Sequence, residues 1–270
     1  MLSKSYSQTI QTKGNFLWLI ITSVLIIFGG LTAAHKAQAA ILFEDHFNDE
    51  SSLNNYTIIN GDAWIEDQQL HTQGNDWPRG SAAILNGNPQ WTNFEVSVKV
   101  QPIAGWHDTM LFFPTQTFDY DPSGYGFIGQ GYVLWVDKAG GGGPAELAPG
   151  ELAQFDTLAL TRVDCPGGGC SQDLVSTASF SPLLNTPVDV DVRVNEGHFQ
   201  VFLNGTKYMD YTDPNPLPAG GIGLGAVWET HATFDDLVVQ AIPEPETYAM
   251  LLAGLCLLSF MARRGKENAM

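Results

Sequence analysis

Three short segments of the 270-residue chain place a tryptophan next to amide, carboxylate or imidazole side chains. They are residues 75–77 (Asn-Asp-Trp), 106–108 (Trp-His-Asp) and 228–231 (Trp-Glu-Thr-His). An indole ring offers a flat apolar surface to the C–H face of a sugar and loses little rotamer entropy on binding. The polar neighbours can bond the sugar hydroxyls, so the pattern favours carbohydrate binding. The predicted binding residues are Trp77, Trp106, His107, Asp108, Trp228, Glu229 and His231.

The alternative for any tryptophan of a β-sheet protein is a place in the hydrophobic core. Trp64, Trp91 and Trp135 are expected there, because residues typical of strands surround each of them. Burial of the binding tryptophans as well would favour a structural spacer without a ligand.

Carboxylates arranged for hydrolysis are a second kind of chemistry. A retaining glycosidase needs two carboxyl groups about 5–5.5 Å apart, one as nucleophile and one as acid. Asp189 and Asp191 would share one face of a strand, but Arg193 takes the next place on that face. We interpret these three residues as a solvated surface. A glycoside hydrolase or lyase of another arrangement stays open as the alternative, and its residues would be Asp119, Asp121, Glu229 and His231.

Strands must position these side chains. Phe94–Val100 and Val188–Val194 carry apolar residues at every second position and polar residues between them. This alternation is typical of antiparallel strands with one solvated face. Asn204-Gly205 indicates a tight hairpin turn, and no segment between residues 40 and 242 keeps a helical period for three turns. We predict an all-β fold, a two-sheet antiparallel sandwich.

Both ends of this region also carry a family resemblance. The segments concerned are Leu42–Asp49, Tyr56–Trp64, Glu66–Leu70, Val201–Gly205, Asp210–Pro218, Gly221–Gly225 and Ala232–Val238. Together they resemble the concanavalin A-like, laminin G-type jelly roll, including the branch shared with 3-keto-disaccharide hydrolase domains. The resemblance implies one jelly-roll domain over residues 40–240. This scaffold carries lectins, glycan-binding modules, hydrolases and spacers, so it implies a fold and leaves the function open.

In that jelly roll the first and last strands lie side by side, which would bring Asp45 near Asp235 and Asp236. These oxygen ligands suit Ca²⁺, which takes six to eight of them, and Ca²⁺ is the one cofactor that the sequence suggests. The alternative is that the three aspartates bond backbone N–H groups at the strand ends.

The N-terminus has the composition of a signal helix. Lys4 and Lys13 precede an apolar stretch, Phe16–Leu31, and Ala37-Gln38-Ala39 forms an A-x-A cleavage site. These features predict a secretory signal peptide over residues 1–39, cut before Ala40 by signal peptidase. A permanent N-terminal membrane span is the alternative.

The C-terminus has three parts. Pro243, Glu244 and Pro245 form an extended segment that cannot join a sheet, and Arg263 and Arg264 resist translocation after the apolar run 247–262. This order resembles a PEP-CTERM sorting signal of exopolysaccharide-producing Gram-negative bacteria, here over residues 241–266. The resemblance implies transient insertion of a transmembrane sorting helix, 247–262, and processing by an exosortase. An ordinary C-terminal membrane anchor is the alternative.

Cys165 and Cys170 flank the turn-forming run Pro-Gly-Gly-Gly. In an exported protein two thiols across such a loop favour a disulfide, which we predict here. The spacing differs from that of a CxxC redox motif. Cys256 lies in the apolar C-terminal run.

The net negative charge of the chain excludes some classes of partner. The chain has 12 Lys and Arg against 29 Asp and Glu, a net charge of −17. The two termini hold 6 of the basic and 3 of the acidic residues, which leaves 6 basic and 26 acidic residues, a net charge of −20, between them. Such a field repels nucleic acid. The sequence therefore predicts an exported cell-surface or exopolysaccharide-matrix protein that binds a polysaccharide or cell-surface glycan without catalysis.

Overall fold

The structure is a computed structural model. It describes residues 39–74, 80–87, 89–104, 109–120, 127–136, 157–165, 171–180, 185–227, 230–242, 252–256 and 258–259. The predicted signal peptide, 1–39, lies outside these residues except for residue 39, and most of the predicted sorting helix, 247–262, lies outside them too. Residues 252–256 and 258–259 are helical. Within the described part of the chain, no helix is both long enough and apolar enough to cross a membrane.

Fifteen strands and one short 3₁₀ helix, Glu50–Asn55, make up the described domain. The strands are β1 Ile41–Asp45, β2 Tyr56–Ile59, β3 Asp62–Glu66, β4 Gln69–Gln73, β5 Gly80–Leu85, β6 Asn93–Ala104, β7 Thr109–Tyr120, β8 Phe127–Val136, β9 Thr157–Cys165, β10 Ser171–Ser179, β11 Val188–Asn195, β12 His198–Leu203, β13 Thr206–Thr212, β14 Gly221–Val227 and β15 His231–Ala241.

These strands form two antiparallel sheets. Sheet A has the order β13-β12-β11-β6-β15-β4-β3, with β1 also paired to β15, and sheet B has the order β10-β9-β8-β7-β14-β5-β2. The apolar residues of the two inner faces form one buried cluster. The predicted all-β, two-sheet antiparallel sandwich is therefore confirmed.

The alternating segments occupy the centre of sheet A. In β6 every second residue from Phe94 to Val100 is buried, and Val188 to Val194 of β11 follow the same rule. Fully burying a valine or phenylalanine contributes about 1.5–3 kcal/mol, and a slip of one residue would turn each of these side chains to water. The alternation thus fixes the register of the two strands.

Sheet B differs because both of its faces are buried at the centre. Tyr132 and Leu134 of β8 join the core between the sheets, whereas Val133 and Trp135 belong to a second apolar cluster. Trp135 lies in the core, as predicted. A strand buried on both faces carries a continuous apolar run instead of an alternating one.

Strand β15 changes partner along its length. One of its edges pairs with β4 over His231–Phe234 and then with β1 over Leu237–Gln240. A bulge separates the two parts, and Asp236 there has a φ of 51°. The first and last strands therefore lie side by side, as the resemblance implied. At the last residue of β15, the backbone N–H of Ala241 donates to the carbonyl of Ala40 at 2.8 Å.

Candidate functional site

Of the seven predicted carbohydrate-binding residues, His231 is the one that the structure describes. Trp77, Trp106, His107, Asp108, Trp228 and Glu229 lie outside the described residues. The strand ends that flank them are described, and their pairing locates where each segment starts and ends.

In sheet A these strand ends are neighbours. Residue 77 follows the end of β4, residues 106–108 follow the end of β6, and residues 228–229 precede β15. His231, the first residue of β15, pairs with Gln73 at the end of β4 and with Ala104 at the end of β6. Three predicted binding segments thus join sheet A at one place, which we call the His231 end.

In sheet B, the strand ends that flank the same three segments are also neighbours. Val227 at the end of β14 pairs with Gly80 at the start of β5. The preceding residue, Ala226, pairs with Thr109 at the start of β7. The described strand ends on both sides of each segment therefore lie at the His231 end of the sandwich.

His231 belongs to an aromatic group that we call the Trp64 cluster, formed by Trp64, His71 and His231. The Trp64 and His71 rings stack with centroids 5.0 Å apart and an interplanar angle of 21°. The His231 ring lies 5.3 Å from Trp64 and 5.1 Å from His71. All three side chains are half-buried, so together they present one continuous ring surface.

The strand alternation places this cluster on the outer face of sheet A. Ala63 and Ile65, on either side of Trp64 in β3, pack against the core, and so do Leu70 in β4 and Ala232 in β15. Their neighbours must point the opposite way. Trp64 was expected in the core, and this expectation is wrong because its strand has one solvated face. Trp91 is half-buried against the core.

Hydrogen bonds fix the proton positions in the cluster. Nε2 of His71 lies 3.2 Å from the Glu66 carbonyl oxygen, which can only accept, so Nε2 carries the proton. Nδ1 of His71 then accepts from Nε2–H of His231 at 2.9 Å. This tautomer leaves Nδ1 of a neutral His231 as an acceptor, and the indole N–H of Trp64 donates to Oε2 of Glu66 at 3.1 Å.

Electrostatics keep His231 neutral. Burial lowers the pKa of His231, the neighbouring His71 lowers this pKa further, and Glu66 opposes the change. A stacked indole, a carboxylate and a neutral imidazole acceptor form a surface that can accept hydroxyl hydrogen bonds beside an apolar platform. This is the chemistry that a sugar ring requires.

The predicted Ca²⁺ ligands are engaged by the protein itself. Oδ1 of Asp45 accepts from the Phe47 N–H at 2.9 Å and the Ser52 hydroxyl at 2.8 Å. Oδ2 of Asp45 accepts from the Asn55 amide at 3.2 Å and the Tyr56 hydroxyl at 3.3 Å. Asp45 is buried, and four donors take the places that a cation would need.

The other two aspartates have different partners. Asp236 binds Nδ1 of His46 at 3.2 Å and Nζ of Lys99 at 3.0 Å, while Asp235 accepts from the Asp236 N–H at 2.7 Å. Among the residues that the structure describes, no three His, Cys, Asp or Glu side chains are grouped to hold a metal. In this structure Asp45, Asp235 and Asp236 are therefore engaged by donors of the protein itself. Backbone capping, the alternative, matches the bonds to Phe47 and Asp236.

The aspartates of β11 behave as a surface. Asp189 is exposed, and Asp191 accepts a hydrogen bond from the Ser97 hydroxyl. Arg193 pairs with Glu95 at 3.2 Å. Each side chain thus engages a neighbouring strand or water, as expected for a solvated face. Asp119 is exposed, and Asp121 lies outside the described residues.

Cys165 is buried at the end of β9. Its predicted partner, Cys170, lies outside the described residues, so the disulfide stays a prediction. The sorting residues Pro243, Glu244, Pro245, Arg263 and Arg264 lie outside them too.

Comparison of the sequence with protein families gives a match at the C-terminus. Residues 241–265 match the PEP-CTERM protein-sorting motif. The chain ends in this motif, as predicted. The motif indicates export and a surface or extracellular location. No curated protein matches the sequence.

Solved structures share the fold of the sandwich. A Bacillus subtilis protein of unknown function with a galectin-like fold is 17% identical with a TM-score of 0.54, and 75% of this chain covers 96% of that one. The exoplasmic/lumenal domain of VIP36, in its Ca²⁺/Man3GlcNAc-bound form, is 11% identical with a TM-score of 0.55, over 75% and 91% of the two chains. A legume lectin-like domain from Entamoeba histolytica is 11% identical with a TM-score of 0.53, over 77% and 100%. The domain therefore has the galectin- and legume-lectin-like jelly-roll fold.

The sequence analysis missed Trp64, Glu66 and His71 as site residues. Trp64 and Glu66 alternate with Ala63 and Ile65, and this period of two already separates them from the core residues. The two residues between β3 and β4 would then place Trp64 opposite His71, which is the pairing observed.

Proposed function

We propose that the protein is an exported, non-catalytic carbohydrate-binding protein of the cell surface or exopolysaccharide matrix, and that it binds a glycan at the His231 end. The observation that carries the proposal is the Trp64 cluster. Its three rings provide the apolar platform, and the Glu66 carboxylate and Nδ1 of His231 accept hydroxyl hydrogen bonds.

The location of the cluster supports this proposal. The strand ends flanking the segments of Trp77, Trp106 and Trp228 meet at His231. A glycan chain presents several rings, and additional aromatic side chains beside the first platform would add binding area for the next rings. The sorting motif accounts for the export of such a protein to where polysaccharide is present.

The proposal includes the route to the surface. Signal peptidase cuts before Ala40, the apolar segment 247–262 enters the inner membrane transiently, and an exosortase removes the tail. Oxidation outside the cytoplasm joins Cys165 to Cys170. Fractionation of cells, with mass spectrometry of the mature termini, tests this route, and an intact chain in the cytoplasm would contradict it.

Binding is tested with the exported protein on an array of bacterial and plant polysaccharides. We expect retention of at least one glycan by the wild type and its loss in Trp64→Ala and His231→Ala. Tyr208→Ala is the matched control, because Tyr208 is an exposed aromatic residue on the edge strand β13. A wild-type protein that retains no glycan, or equal retention by Trp64→Ala and Tyr208→Ala, would overturn the proposal.

A further inference from the structure

A cavity of about 200 Å³ opens at the end of the sandwich opposite the His231 end. Its floor is formed by Tyr132 and Phe199, which are fully buried, and Leu217 closes one side. Half-buried Trp91 and exposed Glu196 stand at the mouth. Sites for drug-sized ligands measure roughly 300–1,000 Å³, so this cavity suits a single ring.

Hydrogen bonds hold the floor rigid. The Tyr132 hydroxyl donates to Oδ2 of Asp213 at 2.5 Å and accepts from the Leu217 N–H at 3.2 Å. Burial and the bond to Asp213 raise the pKa of Tyr132 well above its usual range, so the hydroxyl stays a donor. Arg162 Nε donates to the same carboxylate oxygen at 3.1 Å. The floor is thus tied to both a strand of sheet B and the loop before β14.

The walls are fixed as tightly. Trp91 and Gly220 exchange two backbone hydrogen bonds of 3.2 Å. Glu196 and Gly197 form the two-residue turn between β11 and β12 with φ of 49° and 82°, and the Glu196 N–H donates to Oδ1 of Asn93 at 2.9 Å. A cavity with its walls held in place costs little ordering entropy when a ligand enters.

The polar groups at the mouth are available to a ligand. Within the described chain, neither the Glu196 carboxylate nor the indole N–H of Trp91 has a hydrogen-bond or ion-pair partner. The first is an acceptor and the second a donor, and both residues line the cavity together with the aromatic residues Tyr132 and Phe199. A complementary ligand has one apolar ring face and hydroxyl groups on its edge.

We propose that this cavity binds one sugar ring, with ring hydroxyls donating to Glu196 and accepting from the Trp91 indole. Because the floor is closed by buried side chains, the ring enters from the mouth, which suits the terminal residue of a glycan chain better than an internal one. The cavity shares no residue with the Trp64 cluster, so the proposal does not depend on the proposed function. If both sites bind, one molecule holds two glycan chains at once.

The experiment uses the exported protein and the methyl glycosides of glucose, galactose, mannose and N-acetylglucosamine. Saturation-transfer NMR and calorimetric titration measure binding to the wild type, Glu196→Gln and Trp91→Phe. We expect one glycoside to bind the wild type saturably. Each variant should bind it with a Kd about tenfold higher, because each loses one hydrogen bond to the sugar. Tyr208→Ala, on the edge strand β13 and outside both sites, should bind as the wild type does, and Glu66→Gln reports binding at the Trp64 cluster.

Unchanged thermal unfolding of Glu196→Gln shows that the variant folds. An oligosaccharide with the same ring at its terminus should compete, and one with that ring only inside the chain should not. Absence of saturable binding, or equal binding by Glu196→Gln and the wild type, would overturn the proposal. Binding that is lost in Glu66→Gln but kept in Glu196→Gln would place the sugar in the Trp64 cluster, which overturns this inference and supports the proposed function.

Discussion

Nδ1 of His71 lies 2.9 Å from Nε2 of His231, although the two residues are 160 positions apart in the chain. One imidazole must donate and the other accept, so this contact requires that the two rings share one proton on the bond. A second proton on the bond itself would place two N–H groups against each other. Burial and the neighbouring His71 also lower the pKa of His231, so acid disfavours the pair.

The free energy of unfolding should fall on acidification because of the His71–His231 pair. The lowered pKa of His231 means that the unfolded chain, where a histidine has a pKa of about 6.5, takes up the proton more readily. The contribution to stability is complete above about pH 6.5 and is lost as the pH falls through the lowered pKa. When the pH is lowered from about 8 to about 5, the midpoint of denaturant unfolding should drop more for the wild type than for His231→Gln.

His198→Gln is the control for that comparison, since His198 pairs with Asp210 on the surface. The unfolding midpoint of His198→Gln should depend on pH as that of the wild type does. Identical pH dependence in the wild type and His231→Gln would show that the His71 contact does not link protonation to folding.

Asp213→Ala should be strongly destabilising. The carboxylate is 5% exposed and accepts from Tyr132, Arg162 and the Asn215 N–H. Removing it leaves the buried Tyr132 hydroxyl without its acceptor and takes one of two carboxylate partners from the half-buried Arg162, which costs about 2 kcal/mol or more. Denaturant unfolding measures the loss.

Asp210→Ala is the matched comparison. Asp210 also binds three side chains, His198, Gln200 and Lys207, but it is exposed to water. Exposed ion pairs contribute little, so this variant should lose far less stability than Asp213→Ala. Equal losses would contradict the role assigned to burial.

Asp45→Ala should destabilise the protein to the same extent with and without calcium. The substitution removes the acceptor for Phe47, Ser52, Asn55 and Tyr56, and the buried donors left without it cost about 2–4 kcal/mol in total. Thermal unfolding in millimolar Ca²⁺ and in chelator tests this. A cation bound by Asp45 would stabilise the wild type by RT ln(1 + [Ca²⁺]/Kd), and such a shift, absent in Asp45→Ala, would contradict the capping role.

Gly197→Ala should lose more stability than Gly205→Ala. Both glycines have a positive φ, 82° and 74°, which disfavours alanine. A Cβ at Gly197 would lie 2.6 Å from Cβ of Pro216, whereas a Cβ at Gly205 meets nothing within 4 Å. The difference between the two denaturation midpoints measures the steric cost of the contact with Pro216. Equal midpoints would mean that the loop containing Pro216 moves away from the added Cβ at no cost.

Much of the fold could be predicted because its signals are local. The alternation in β6 and β11 and the Asn204-Gly205 turn, with φ of 49° and 74°, specify strands and one hairpin without reference to distant residues. The turn between β3 and β4 also has two positive φ values, 51° and 61°, but it consists of Asp67 and Gln68, which lack the Asn-Gly signature. The pairing of Trp64 with His71 was therefore not recognised.

The Trp64 cluster depends in addition on a pairing between distant strands. The local sequence of β4 and β15 does not specify that Thr233 pairs with His71. This register is what places His231, two residues earlier in β15, next to the His71 ring. For the predicted Ca²⁺ ligand Asp45, the missing signal was local. The adjacency of β1 and β15 was correct, but a short 3₁₀ helix supplies Ser52 and Asn55 to Asp45, and a six-residue helix leaves too little periodicity to detect.

The hydrogen bond between Ala241 and Ala40 has a consequence for how the protein meets its surroundings. Ala40 is where the signal peptide is predicted to be cut, and Ala241 is the first residue of the matched sorting motif. The predicted cleavage site and the first residue of the sorting motif therefore lie at a single corner of the sandwich, and a tether through either end would start there. β15 runs from that corner to His231 over 11 residues, about 35 Å at the usual rise of a strand. A molecule fastened through its tail would hold the Trp64 cluster at that distance from its point of attachment, directed outward.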